Sequence, residues 1–191
     1  MASFWNKPTA PEAKRVYRWL ISFGTSPNQL DQFLAKKVTQ PSYTMTETKH
    51  SYLNHTFYYP GRVEWQTIDV TFVDPSDPDT GAKLLSILEG SGYSLPEDET
   101  VQNTLSKSKS ISKLGIITIQ SIDSVGKPVQ SWELINPFLK DVKFSELSYE
   151  ADDMVEVTAT IRYDYAKYGI HGAGKGSPPW GGTGQSGPPT P

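Results

Sequence analysis

Residues 39–75 read TQPSYTMTETKHSYLNHTFYYPGRVEWQTIDVTFVDP, and this stretch decides the fold class. It is dominated by Thr, Tyr, Phe, Val, Ile and Trp, side chains that suit a pleated, half-buried surface. It predicts two long strands joined by a turn at Pro60-Gly61, where proline fixes one φ and glycine permits a positive one. From Thr44 to Tyr58 neither alternate set of residues makes a clean apolar face before Leu53. A strand pair with a polar tip cannot bury itself, so it is expected to project from the body and to meet another chain.

The flanking sequence supports a mainly β architecture. Residues 14–23 alternate Tyr17, Trp19, Ile21 and Phe23 with polar neighbours and predict a strand. Residues 32–38 form a second strand candidate with a solvated Lys36-Lys37 edge. Ile68, Val70 and Phe72 mark the buried face of another. Asp77 as N-cap and Pro78 at the first turn predict one flanking helix over residues 78–89, closed by Gly90 and Gly92. Residues 94–112 read as a polar loop with a helical turn. Residues 113–122 and 129–135 predict a hairpin around residues 123–127, with Trp132 and Leu134 on one face. Asn136-Pro137-Phe138 breaks this strand, and residues 142–147 form a short extended piece. Residues 154–165 predict one long amphipathic strand, with Val155, Val157, Ala159, Ile161, Tyr163 and Tyr165 facing inward. Its polar face carries Glu156, Thr158, Thr160 and Arg162, as suits a sheet facing water inside a large barrel.

Three segments follow: an irregular N-terminal arm over residues 1–13, a β domain over residues 14–168, and a Gly/Pro-rich tail over residues 169–191. The tail's composition cannot bury enough surface to fold alone. Phe4 and Trp5 on the arm, and Trp180 after Pro178-Pro179, are candidate anchors on a neighbouring subunit. For the arm, capping of the domain's own core is the simpler alternative.

Composition excludes several classes of function. The 191 residues carry a net charge of −3, so no general nucleic-acid-binding face is implied. There is no cysteine, hence no disulfide framework, thiol nucleophile or thiolate zinc site. No apolar run approaches the ~18 residues of a membrane span, and residues 1–6 are too short and polar for a signal peptide. The expectation is a soluble chain made in a cytosol. Gly169, Gly174 and Lys175 have P-loop spacing, but Gly176 follows the lysine and Pro178-Pro179 precludes the helix that would cradle phosphate. His50 and His55 are five apart, which on one strand places them on opposite faces and rules out a shared metal. No nucleophile motif or paired carboxylates stand out. Neither catalysis, a metal nor a cofactor is expected.

The succession YRW, YLNHTFYYPGRVEW, IDVTFVDP, LLSILEGSGY, WELINPFLKDVKF and VEVTATIRYDYA resembles the tail tube proteins of contractile-tailed, T-even-like phages across residues 14–168. The Gly/Pro tail lies outside that pattern. The resemblance implies two packed antiparallel sheets, a sandwich or half-barrel, with one flanking helix. It implies hexameric rings stacked into a hollow tube, each subunit giving strands to a large inner β-barrel. Glu156, Thr158, Thr160 and Arg162, with Thr44, Thr46 and Thr48, would face the lumen. Tyr52, Asn54 and His55 on the arm, with Phe4, Trp5 and Trp180, would contact neighbouring subunits. The implied partners are further copies of the chain, sheath, tape measure, baseplate and neck proteins, and DNA in non-specific transit. The implied location is a virion tail assembled in host cytoplasm. A tube-initiating or tube-terminating ring and the tube of a related injection machine are alternatives within this fold. A carbohydrate- or peptide-binding β-sandwich is the alternative from another class.

Overall fold

The computed structural model describes residues 13–24, 29–95, 103–150 and 152–170. Its strands are β1 (Trp19–Ser22), β2 (Ala35–Val38), β3 (Tyr43–Tyr52), β4 (His55–Trp65), β5 (Ile68–Val73), β6 (Ile117–Ile122), β7 (Pro128–Ile135), β8 (Phe138–Phe144), β9 (Glu156–Arg162) and β10 (Tyr165–Ile170). The helices are α1 (Thr80–Gly90) and α2 (Lys107–Leu114). Two four-stranded antiparallel sheets run in the orders β1-β6-β7-β10 and β2-β5-β9-β8, and β3 and β4 form a separate two-stranded ribbon. The fold is mainly β, with open sheets rather than a closed barrel in the protomer.

Strand periodicity builds the core. Ile68, Val70 and Phe72 from β5 and Val157, Ala159 and Ile161 from β9 are buried side by side, as their registers require. Ile21, Ile119, Ile117 and Leu134 bring the other sheet into the same cluster. Phe23 meets Phe72 edge to face, ring centroids 5.1 Å apart. Burying each such aliphatic or aromatic side chain contributes ~1.5–3 kcal/mol. Trp132 and Leu134 share the inward face, Trp132 opposite Ile119 and Leu134 opposite Ile117.

The projecting ribbon differs from expectation in its turn. The chain reverses at Leu53-Asn54, not at Pro60-Gly61, with Leu53 at φ 50°. Pro60 lies inside β4 opposite Glu47, and the register shifts between Met45 and Glu47 because β4 carries one extra residue there. In a two-stranded ribbon each strand keeps an open edge, where a proline without its N–H is tolerated. Gly61 fits the bulge because a Cβ there would lie 2.3 Å from Thr46 Oγ1.

The long strand expected over residues 154–165 is two strands in different sheets. Tyr163 and Asp164 make the corner between β9 and β10. The Asp164 N–H donates to the Ile135 carbonyl at 3.1 Å. Its carboxylate accepts from Lys107 Nζ at 2.8 and 2.9 Å and from Asn136 Nδ2 at 2.8 Å. Three partners from outside the strand thus turn the chain. Val155 and Tyr165, expected inward, are exposed. The first strand is also shorter than its alternation implies. A turn at residues 16–17 precedes Trp19, and Tyr17 is exposed with Arg18 over its ring. A single 3₁₀ turn, Gln32–Leu34, replaces the start of the second strand candidate. β8 begins at Phe138, two residues after Asn136 at φ 54°.

Among the described residues two helices flank the sheets, where one was expected. Asp79, rather than Asp77, caps α1 by accepting from the Ala82 N–H at 2.8 Å. Leu84 and Ile87 are its buried face, while Leu85 is exposed. The second helix, α2, ends at Gly115, whose N–H donates to the Ile111 carbonyl at 2.8 Å. Its sequence KSKSISKL holds only two apolar residues at helical spacing, too few for periodicity to reveal it. Both helices contact β8 and each other. β10 continues through Gly169 and Ile170, two residues beyond the change in composition.

Candidate assembly interface

The β3–β4 ribbon leaves the body with every residue of β3 exposed and all of β4 exposed save Trp65. Its cross-strand pairs are Thr48 with Tyr59, Lys49 with Tyr58, His50 with Phe57, Ser51 with Thr56 and Tyr52 with His55. One face therefore carries Thr44, Thr46 and Thr48 near the foot and His50, Tyr52, His55 and Phe57 near the tip. The other carries Lys49 over Tyr58, with Nζ 5.6 Å from the ring centroid. Tyr52, Leu53, Phe57, Tyr58 and Tyr59 are all more than half exposed. Such a concentration of exposed apolar surface on one element makes the ribbon a candidate contact site.

His50 and His55 share a face, contrary to the expectation from their odd spacing. The turn at Leu53-Asn54 puts them on opposite strands, and their partners Phe57 and Tyr52 make them diagonal neighbours. Among the described residues no group of three or more His, Asp or Glu side chains could hold a metal ion. Leu53 is the residue sequence reasoning passed over. It is 86% exposed at the tip and occupies left-handed backbone that non-glycine residues enter at a cost of ~1–2 kcal/mol. The neighbouring Asn54, a turn former, was its signal.

The outer face of the β2-β5-β9-β8 sheet carries the other expected residues. Glu156, Thr158 and Thr160 are half-buried and Arg162 is exposed; none of the four belongs to the core. Register places Lys37, Thr71, Thr158 and Lys143 in one cross-strand row and Asp69, Thr160 and Asp141 in the next. The Thr160 hydroxyl donates to Asp69 Oδ1 at 2.6 Å, and the Thr71 and Thr158 hydroxyls are 3.2 Å apart. Lys36 pairs with Glu156, and Lys143 lies 3.5 Å from Asp141. Glu156 holds the Lys36 ammonium in its charged form above its usual range, by hydrogen bond first and charge second. The face is thus a hydrogen-bonded surface on which Lys36 and Lys143 lie beside carboxylates. The ribbon threonines are also engaged: Thr46 Oγ1 accepts from the Arg62 N–H at 2.8 Å, and Gln66 Nε2 donates to Thr44 Oγ1 at 3.0 Å.

At the foot of the ribbon the core opens into an apolar groove of about 520 Å³. Tyr43 meets Trp65 at 5.4 Å and Trp132 meets Tyr168 at 4.7 Å, both edge to face. Trp65 also approaches the Tyr163 ring at 6.0 Å. Burial raises the Tyr163 hydroxyl pKa to about 12; the nearby Ser42 backbone tempers this without meeting hydrogen-bond geometry.

This architecture has solved counterparts. Its fold is that of chains from contractile injection machinery. One lies in the tube-terminating cap of the anti-feeding prophage (TM-score 0.62, 11% identity, 90% of this chain and 100% of that one). Another lies in the six-fold symmetrised baseplate of the anti-feeding prophage (TM-score 0.61, 13% identity, 83% and 96%). A third comes from the extended sheath–tube complex of PVC, an extracellular contractile injection system (TM-score 0.57, 16% identity, 83% and 93%). The likeness at these identities is one of fold. No protein-family model and no curated protein matches the sequence.

Phe4, Trp5 and Trp180 lie outside the described residues, as do Gly174 and Lys175 of the P-loop-like spacing. Gly169 pairs with Ser131 inside β10, an extended position. No helix of the described residues is long and apolar enough to cross a membrane.

Proposed function

We propose that this chain is a structural subunit of the inner tube of a contractile phage tail, forming stacked hexameric rings that conduct DNA during ejection. The observation that carries this reading is the ribbon of residues 43–65. It exposes aromatic surface that the other described residues leave uncovered, on a fold shared with tube-terminating and sheath–tube chains. Contacts that close around a ring remove open sheet edges, while stacking along the axis extends a filament. Tyr52, Asn54 and His55 at the tip would meet the neighbouring ring or subunit, as would Phe4 and Trp5. Thr44, Thr46, Thr48, Glu156, Thr158, Thr160 and Arg162 would line the lumen. There, the pairing of Lys36 with Glu156 and of Lys143 with Asp141 would weaken their grip on phosphate and help DNA to slide. Sheath, tape measure, baseplate and neck proteins are the corresponding partners, and the role is not enzymatic. The location is a virion tail assembled in the host cytoplasm.

A second reading is a ring that ends the tube. It is favoured by the cap chain, all of which aligns on 90% of this one. Negative-stain electron microscopy of the purified chain, with mass photometry, tests both. Long hollow tubes support the repeating subunit, and single rings support the terminator. A monomer at every concentration, unchanged by added baseplate extract, would sink both and favour a carbohydrate- or peptide-binding sandwich.

A further inference from the structure

The groove at the foot of the ribbon combines two aromatic pairs, Tyr43–Trp65 and Trp132–Tyr168, with the exposed Met45 side chain and no charged lining residue. Its volume falls within the ~300–1,000 Å³ of sites that bind drug-sized ligands. Grooves walled by aromatic rings suit proline-rich segments, whose preformed extended helix loses little entropy on docking. This chain carries such a segment. Residues 176–191 read GSPPWGGTGQSGPPTP and contain no charged side chain, matching the uncharged groove.

We infer that Pro178-Pro179-Trp180 docks into this groove of its own chain. The expectation from sequence is that Trp180 meets a neighbouring subunit; the groove offers a nearer place. Tyr168 of β10 forms one wall, and Ile170, two residues on, pairs with Gln130, another lining residue. The tail therefore starts beside the site it fills. The residues between Ile170 and Pro178 include Gly172, Gly174 and Gly176, which permit reversal. Tethering by so short a link gives an effective concentration on the order of millimolar, so a weak contact suffices. The trio would cover Tyr43, Met45 and Trp65, apolar surface that the described residues leave partly open. The inference does not depend on the tube reading.

The test is site-specific photo-crosslinking in the full chain, with the photoreactive residue p-benzoylphenylalanine in place of Trp180. Equal amounts of isotopically light and heavy chain are mixed before irradiation. Peptide mass spectrometry then locates the crosslink and shows whether it joins one copy or two. Crosslinks to residues 43–45, 63–65, 130–132 or 166–168 within one copy are expected. They should be lost on Met45→Glu, an exposed ribbon position where the body's fold is not at stake, and on the Pro178→Gly/Pro179→Gly double change. Crosslinks to the groove only between copies would overturn docking in the same chain. Crosslinks elsewhere, or groove crosslinks indifferent to these substitutions, would overturn the site itself. Assembly is read separately by electron microscopy of the same samples, so tubes without the crosslink defeat this inference alone.

Discussion

Thr46 and Gly61 face one another across the ribbon so closely that a methyl group on Gly61 would overlap the Thr46 hydroxyl and lie 2.9 Å from its carbonyl oxygen. The same hydroxyl accepts the Arg62 N–H. The register shift between Met45 and Glu47 sits at this contact. Gly61→Ala is expected to destabilise the ribbon by ~1–3 kcal/mol, the usual cost of overpacking. Hydrogen exchange should quicken across residues 43–65 and leave β5 and β9 protected, because the ribbon forms its own sheet.

A substitution at Leu53 offers a test that separates folding from assembly. Asparagine enters left-handed backbone more readily than leucine, so Leu53→Asn is expected to keep or slightly raise the thermal midpoint. It also removes the most exposed apolar group at the tip, and under the proposed function it should raise the concentration needed for ring or tube formation. Mass photometry across a dilution series, beside a thermal melt, reads both effects. Assembly equal to that of the native chain would remove the tip from the contact.

The lumen assignment can be read chemically, since the chain has no native cysteine. Thr158→Cys and Thr160→Cys should react with a small maleimide in the free protomer. In assembled tubes, a maleimide too bulky to enter the bore should fail while the small one still labels. Equal labelling by both in tubes would place this face outside.

Asp164 predicts a pH effect. Its carboxyl is held below its ordinary range, first by the hydrogen bond from Lys107 and then by that from Asn136. A depressed folded pKa means stability is fully present above the unfolded value of ~3.9 and is lost as pH falls through the lower folded value. The pair is exposed, so the contribution is at most ~1 kcal/mol. Asp164→Asn should flatten this acid limb in denaturant titrations between pH 5 and pH 2, leaving pH 7 stability lower by no more than that amount.

Phe72 gauges the core. It is fully buried and packs edge to face on Phe23. Phe72→Ala should cost ~3–5 kcal/mol, measured by chemical denaturation, and should lower soluble yield before any assembly defect can be read.

Local pattern in the sequence carried the sheets well. The alternation of Ile68, Val70 and Phe72, and of Val157, Ala159 and Ile161, names two central core strands, because a period of two survives any tertiary context with one buried face. The projecting ribbon was legible for the converse reason: residues 44–52 offer no face to bury. Its turn was not. Pro60-Gly61 looks like a turn in composition, yet glycine is needed there for the close approach of Thr46, a contact made by a residue far along the chain. The weakly patterned α2 likewise depends on Leu114 reaching the core.

The sequence by itself determined the strand-rich class, the inward side chains and the existence of an unburied arm, since each follows from periodicity and composition within a few residues. Tertiary structure alone decided that residues 154–165 divide between two sheets, that His50 and His55 share a face, and that four aromatic rings from distant strands wall one groove. Each depends on register or on a corner held by Lys107 and Asn136, and such long-range pairings leave no periodic trace in the segments they join.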